Sequence, residues 1–111
     1  MPGYAPRKGD FIALDFDPQA GHEQKGRRPA LVISNDLFNL RTGLVMACPV
    51  TRTDRCYPFH VAIPPGSQVS GFVMVDQVKS LDYSSRHATR IDRASEALLD
   101  EVLAILDACL Y

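Results

Sequence analysis

Six short runs rich in Val, Ile, Phe and Leu follow one another along this 111-residue chain, at roughly residues 10–16, 29–34, 44–51, 58–63, 71–80 and 87–91. Turn residues separate them, and such runs read as β-strands. Within them Gly71-Phe72-Val73-Met74-Val75 is continuously apolar and reads as a central strand buried on both sides. Asn35 to Asn39 reads as one short helical turn. The last segment has a different period. Leu98, Val102, Ile105 and Cys109 form one helical stripe, and Leu99, Leu103, Leu106 and Leu110 form the next. Ser95 is placed to cap that helix, and Glu96 stands in its first turn, where the helix dipole favours an anion. Many short antiparallel strands followed by one C-terminal helix predict a mainly β fold: a small, strongly bent sheet or partly open barrel. The doubled stripe is wider than a surface helix needs. It serves either a subunit or partner contact or a helix tucked deeply into its own core.

A chain of this length makes one domain. Apolar residues are 46% and charged residues 23% of it, the proportions of an ordinary soluble globular protein. No window approaches the roughly 20 apolar residues of a membrane span. Residues 1–8, with Pro2 and Pro6, lack the apolar core of a signal peptide and read as a loose arm. A cytoplasmic protein is expected. Cys48, Cys56 and Cys109 have neither metal-like nor redox spacing, and Cys48 and Cys109 are expected to be buried free thiols. The formal net charge of −1 argues against indiscriminate nucleic-acid binding. Its distribution is uneven. Residues 1–55 hold eight Lys or Arg against six Asp or Glu, a net of +2, and residues 56–111 hold four against seven, a net of −3. Lys25, Arg27, Arg28, Arg41, Arg52 and Arg55 are the cations of a candidate basic patch.

Between the first two runs lies a polar stretch from Asp17 to Pro29, far longer than a hairpin needs. Long connections in small domains are functional or disordered. This one gathers His22, Glu23, Gln24, Lys25, Arg27 and Arg28, a set able to grip a phosphate and move a proton. Gly21 and Gly26 allow sharp turns at either end of the charged cluster. Pro29 biases Arg28 to an extended conformation at the mouth of a strand. His22, His60 and His87 are far apart, and none has a second ligand at helical spacing, so no metal or other cofactor is expected. No phosphate-cradling glycine loop and no nucleophile elbow is present. A phosphate site without a metal remains. Arg28 offers a planar fork for phosphate oxygens. Thr51 ends the run Cys48-Pro49-Val50-Thr51, with its hydroxyl at a strand end.

Taken in order, Gly9-Asp10, Asp15-Phe16-Asp17-Pro18, Gly21-His22-Glu23-Gln24-Lys25-Gly26-Arg27-Arg28-Pro29-Ala30, Cys48-Pro49-Val50-Thr51 and Asp76-Gln77-Val78-Lys79 resemble the MazF/PemK family of bacterial toxins. The resemblance covers about residues 9–110. It implies an SH3-like barrel with a C-terminal helix and a homodimer. It also implies a sequence-selective endoribonuclease held inactive by a cognate antitoxin. Arg28 and Thr51 match the family's catalytic pair. Glu23 and Gln24 match its loop acid and amide, and Asp76, Gln77 and Lys79 match the strand that supports the groove. His22 and Arg27 are not fixed features of the family.

The chemistry expected of such a site uses the 2′-hydroxyl of RNA as nucleophile. Glu23 is the candidate base, with His22 as the alternative. Arg28 and Thr51 hold the scissile phosphate. The expected products are a 2′,3′-cyclic phosphate and a 5′-hydroxyl. Lys25, Arg52 and Arg55 are expected along the RNA backbone. Tyr57 and Phe59 stand either as base-stacking residues or as packing residues. The antitoxin is expected to be acidic and partly disordered until bound. The competing reading is a toxin resembling CcdB, which binds DNA gyrase and needs no Arg–Thr phosphate site.

Overall fold

The computed structural model of the protein describes residues 3–16 and 27–111. The elements are β1 (Asp10–Asp15), β2 (Arg27–Val32), α1 (Asp36–Thr42), β3 (Leu44–Thr51), β4 (His60–Ala62), β5 (Phe72–Met74), a 3-10 turn (Val75–Gln77), β6 (Lys79–Asp82), β7 (Thr89–Arg93) and α2 (Glu96–Leu110). All the strand pairs are antiparallel. The strands form one sheet in the order β4-β5-β3-β2-β1-β7, with β6 also paired to β3. Among the described residues β4 and β7 stand at the two ends of that path, so the expected mainly β barrel is an open one.

Strand β3 organises the bend. One edge pairs with β2 from Ala47 to Pro49. Along the other edge its first half, Leu44–Ala47, pairs with β6, and its end, Val50–Thr51, pairs with β5. The continuous strand expected over 71–80 is therefore two strands. The 3-10 turn at Val75–Gln77 breaks it, which lets the chain pass from one half of β3 to the other. Val75 is still buried, and its amide donates to the Phe59 carbonyl at 3.1 Å. An apolar run reports burial, and burial here extends one residue into the turn, to Val75, before Asp76 and Gln77 emerge.

Alternation along the strands divides the core into two faces. Phe11, Leu31, Ile33, Cys48 and Val50 pack beneath α2 with Leu98 and Val102. Ile12, Leu14, Ala30, Val32, Val45, Ala47 and Leu81 fill the opposite face. Both stripes of α2 serve the first face, because Leu99, Leu103, Ile105 and Leu106 pack partly buried against it. The helix begins as expected: the Ser95 hydroxyl accepts from the Leu98 amide at 3.2 Å. Its last turn emerges into solvent. Cys109 is exposed, correcting the expectation of a buried thiol there. Cys48 is buried, and that burial pushes its thiol up to about 12.

The N-terminal stretch is docked over its described part, not loose. Tyr4 packs against the second core face and its hydroxyl donates to the Asp10 carboxylate. Pro6 is buried, and its carbonyl accepts from the Asn39 side chain at 2.9 Å. Asp10 itself is buried. It is balanced by Arg93 at 2.9 Å and Arg90 at 3.5 Å, the pairing a buried carboxylate requires.

Candidate functional site

Two prolines open the site. Pro29 and Pro49 carry no amide hydrogen, and strand pairing fails where a ladder donor is missing. The β2–β3 register stops at Ala30↔Pro49. Beyond it the two strands continue as Arg28 and Thr51, which that register, extended by two residues, sets opposite one another. The space between the diverging ends is a cleft of about 580 Å³. Arg28, Thr51 and Arg52 line it, with Arg27, Pro29 and Ala13 on the β1–β2 side. Its far wall is Gln68-Val69-Ser70, from the connection between β4 and β5.

The Thr51 side chain is oriented from within its own turn. Its Oγ1 accepts the Thr53 amide at 3.2 Å. Because an accepted bond leaves the hydroxyl proton available, Thr51 can still donate to an anion in the cleft. Thr51 is half-buried and Arg28 exposed, so a hydroxyl seated in its turn faces a planar cationic fork. Together they can hold two oxygens of one phosphate.

Arg27 has a different position from its neighbour. Its Nη2 donates to the carbonyls of Ala13 at 2.8 Å and His87 at 2.6 Å and to Thr89 Oγ1 at 3.1 Å. Its Nη1 lies 3.4 Å from Asp15. The His87 ring, 3.0 Å from Asp15, and then Arg27 hold that carboxyl below its ordinary range. Arg27 thus borders the cleft while clamping β1 to the turn before β7.

The other expected residues are spread. Tyr57 lines a separate cavity of about 340 Å³ with His60 and Phe72. Its ring packs edge-on against Phe59 at 5.5 Å and His60 at 4.9 Å. Arg55 is exposed on the same segment and does not line the Arg28 cleft. Lys79 sits 5.5 Å over the Phe16 ring, and Gln77 is exposed in the 3-10 turn. Arg41 lies in the last turn of α1. His22, Glu23, Gln24 and Lys25 lie outside the described residues. Gln68 and Ser70 escaped the sequence reading, which left them among the turn residues between the runs at 58–63 and 71–80. The signal was the polar–apolar–polar step at Gln68-Val69-Ser70, which marks a segment anchored by one residue and displaying two.

The chain is 42% identical over 87 residues to the endoribonuclease toxin MazF of Escherichia coli strain K12, covering 78% of each chain. It is similar to a crystal structure of MazE–MazF from Deinococcus radiodurans, with a TM-score of 0.91, 47% identity and 97% of each chain covered. It also resembles an endoribonuclease in complex with its cognate antitoxin from a mycobacterial species, with a TM-score of 0.80, 26% identity, and 96% of this chain and 95% of that one covered. A family profile matches residues 7–110. The chain belongs to the family of PemK-like, MazF-like toxins of type II toxin–antitoxin systems.

Proposed function

We propose that this chain is an endoribonuclease toxin that cuts single-stranded RNA at selected sequences, using the substrate's own 2′-hydroxyl. The observation that carries the reading is the cleft shared by Arg28 and Thr51 at the diverging ends of β2 and β3. Relatives named as endoribonucleases add to it.

In the proposed step the 2′-oxygen forms a bond to phosphorus while the bond from phosphorus to the 5′-oxygen breaks. The 2′-proton passes to Glu23, with His22 as the alternative base, and a proton from solvent water reaches the leaving 5′-oxygen. The products are a 2′,3′-cyclic phosphate and a 5′-hydroxyl. Arg28 stabilises the charge that gathers on the crowded phosphate, and Thr51 donates a hydrogen bond to one of its oxygens. A guanidinium is a poor acid at neutral pH, so the role of Arg28 is electrostatic. The step as written draws on no metal ion. Arg52 continues the cationic lining and suits the neighbouring backbone phosphate.

The partner proposed is an acidic antitoxin, partly disordered until bound, lying across the same cleft and excluding RNA. The protein is proposed to act as a homodimer in the cytoplasm. No described helix is long and apolar enough to cross a membrane.

The test is a long RNA incubated with the protein in EDTA. Discrete fragments with cyclic-phosphate ends are expected. Arg28→Ala is expected to lower the rate about 100- to 1,000-fold. A 2′-deoxy substitution at a cleavage site is expected to abolish cutting there, and normal cutting would reject the mechanism. Intact RNA combined with inhibition of gyrase would favour the CcdB-like alternative.

A further inference from the structure

The segment between β4 and β5 forms the cleft wall opposite Arg28, and it is fastened at three places. Val69 is buried in the core beneath α2. The Ile63 amide donates to the Gly71 carbonyl at 2.9 Å, closing the loop at its base. The third fastening comes from another strand. Asp92 of β7 accepts the Gln68 amide at 2.8 Å and the Ser67 hydroxyl at 3.1 Å, both on Oδ2. Ser67 Oγ in turn accepts the Val69 amide at 3.1 Å. One carboxylate therefore sets three consecutive residues of the wall, directly or through Ser67. These bonds, led by the Gln68 amide and followed by that of Arg93, hold the Asp92 carboxyl below its ordinary range. It stays ionised at neutral pH.

With Val69 turned into the core, its two neighbours are exposed and border the cleft. Gln68 brings an amide, with two donor hydrogens and an acceptor oxygen. A neutral amide can touch a phosphate oxygen but brings no charge to it. It is matched to the edge of a nucleobase, and single-stranded RNA leaves those edges open.

We propose that Gln68 reads a base beside the scissile linkage, and that Asp92 is the positioning residue that holds Gln68 across the cleft from Arg28 and Thr51. The inference rests on the endoribonuclease reading above and adds to it a source of sequence choice. Asp92 acts through the loop and does not touch the RNA.

The experiment compares full-length variants on an RNA pool with a randomised stretch, mapping the 5′ ends of the fragments. Gln68→Ala is expected to reduce the preference at one base position about 10-fold, within the discrimination a single amide–base contact supplies. Asp92→Ala is expected to lose preference at the same position, and the double variant to lose no more than either alone. Asp92→Asn keeps one acceptor oxygen for the Gln68 amide and is expected to recover most of the preference. If Asp92→Ala does not fold, Gln68→Ala and Asp92→Asn decide the matter between them. A merely structural Asp92 would depress cutting at all sites together, and that result overturns its assigned role. Active wild type, impaired Arg28→Ala and an unchanged preference in Gln68→Ala overturn this inference alone. Absence of cutting by the wild type overturns the nuclease reading, and this inference with it.

Discussion

Gly71 stands so close to Thr51 that a Cβ placed on it would lie 2.2 Å from the Thr51 carbonyl oxygen. Its φ of +123° belongs to backbone that side chains rarely adopt. The next residue, Phe72, is paired with Thr51 across β3 and β5. Gly71 is thus the point at which the cleft's far wall is pressed onto the strand end that carries Thr51. Gly71→Ala is expected to displace that strand end. The backbone term alone is about 1–3 kcal/mol, enough to lower the melting temperature by at least about 4 °C. Activity is expected to fall further than the loss of folded protein explains, by about 100-fold if the Thr51 hydroxyl is misplaced. Calorimetry and RNA cleavage on the same sample separate the two effects. An unchanged melting point and rate would contradict the contact.

Arg27 and Arg28 are chemically identical neighbours with opposite expected phenotypes. Arg27 joins β1 to the turn before β7 through three hydrogen bonds and an ion pair, whereas Arg28 borders the cleft opposite Thr51. Arg27→Ala is expected to cost about 1–2 kcal/mol of stability, a figure kept low by its partial exposure. Arg28→Ala is expected to leave stability within about 0.5 kcal/mol while lowering the cleavage rate about 100- to 1,000-fold. Urea titration and initial rates on both variants test the division. The reverse pattern would exchange the two assignments.

That contrast shows where sequence reading reaches its end. Charge and the neighbouring proline single out the Arg27-Arg28 pair, but which guanidinium the sheet occupies depends on β7, some sixty residues away. The strands at Asp10–Asp15 and Leu44–Thr51 and the Ser95 cap were legible, because alternation and capping are local. The break at Val75–Gln77 was not, since its first residue, Val75, is buried and prolongs the apolar run of β5. Nor was the Gln68 wall. The Gln68-Val69-Ser70 step marks Val69 as an anchor, but the segment's place in the cleft is set by Asp92 of β7, a contact with no short-range signature. Arg28 and Thr51 were found through residue type and family resemblance. Their opposition across β2 and β3 follows from a register no linear pattern states.

Acid should loosen the molecule in a defined direction. The Asp92 carboxyl is held low first by the Gln68 amide, Asp15 by the His87 ring, and Asp36 by the Lys8 amide. Each binds its proton less readily folded than unfolded, so each contributes stability that is present above the unfolded value. That contribution disappears as pH falls through the folded value. With ordinary carboxyls near about 3.9, the urea midpoint is expected to be level from about pH 7 to 5 and to decline below about pH 4. Asp36→Asn and Asp92→Asn are expected to make the decline shallower. A decline of wild-type steepness in both variants would show that these carboxylates are not its source.

Salt dependence distinguishes the cations that meet RNA from those that merely raise the local charge. Each phosphate neutralised on a single strand contributes about −0.7 to the slope of log affinity against log salt. Arg52 lines the cleft with Arg28, while Arg55, three residues later, does not. Measured on an RNA blocked by a 2′-deoxy linkage at the cleavage site, Arg52→Ala is expected to make the slope less negative by about 0.7. Arg55→Ala is expected to leave it nearly unchanged. A long-range field would treat the two alike, because they carry the same charge and exposed cations so close together are seen similarly at about one Debye length, roughly 8–10 Å. Equal changes in slope for both variants would therefore mean that RNA follows the surface charge and not the cleft between β2 and β3.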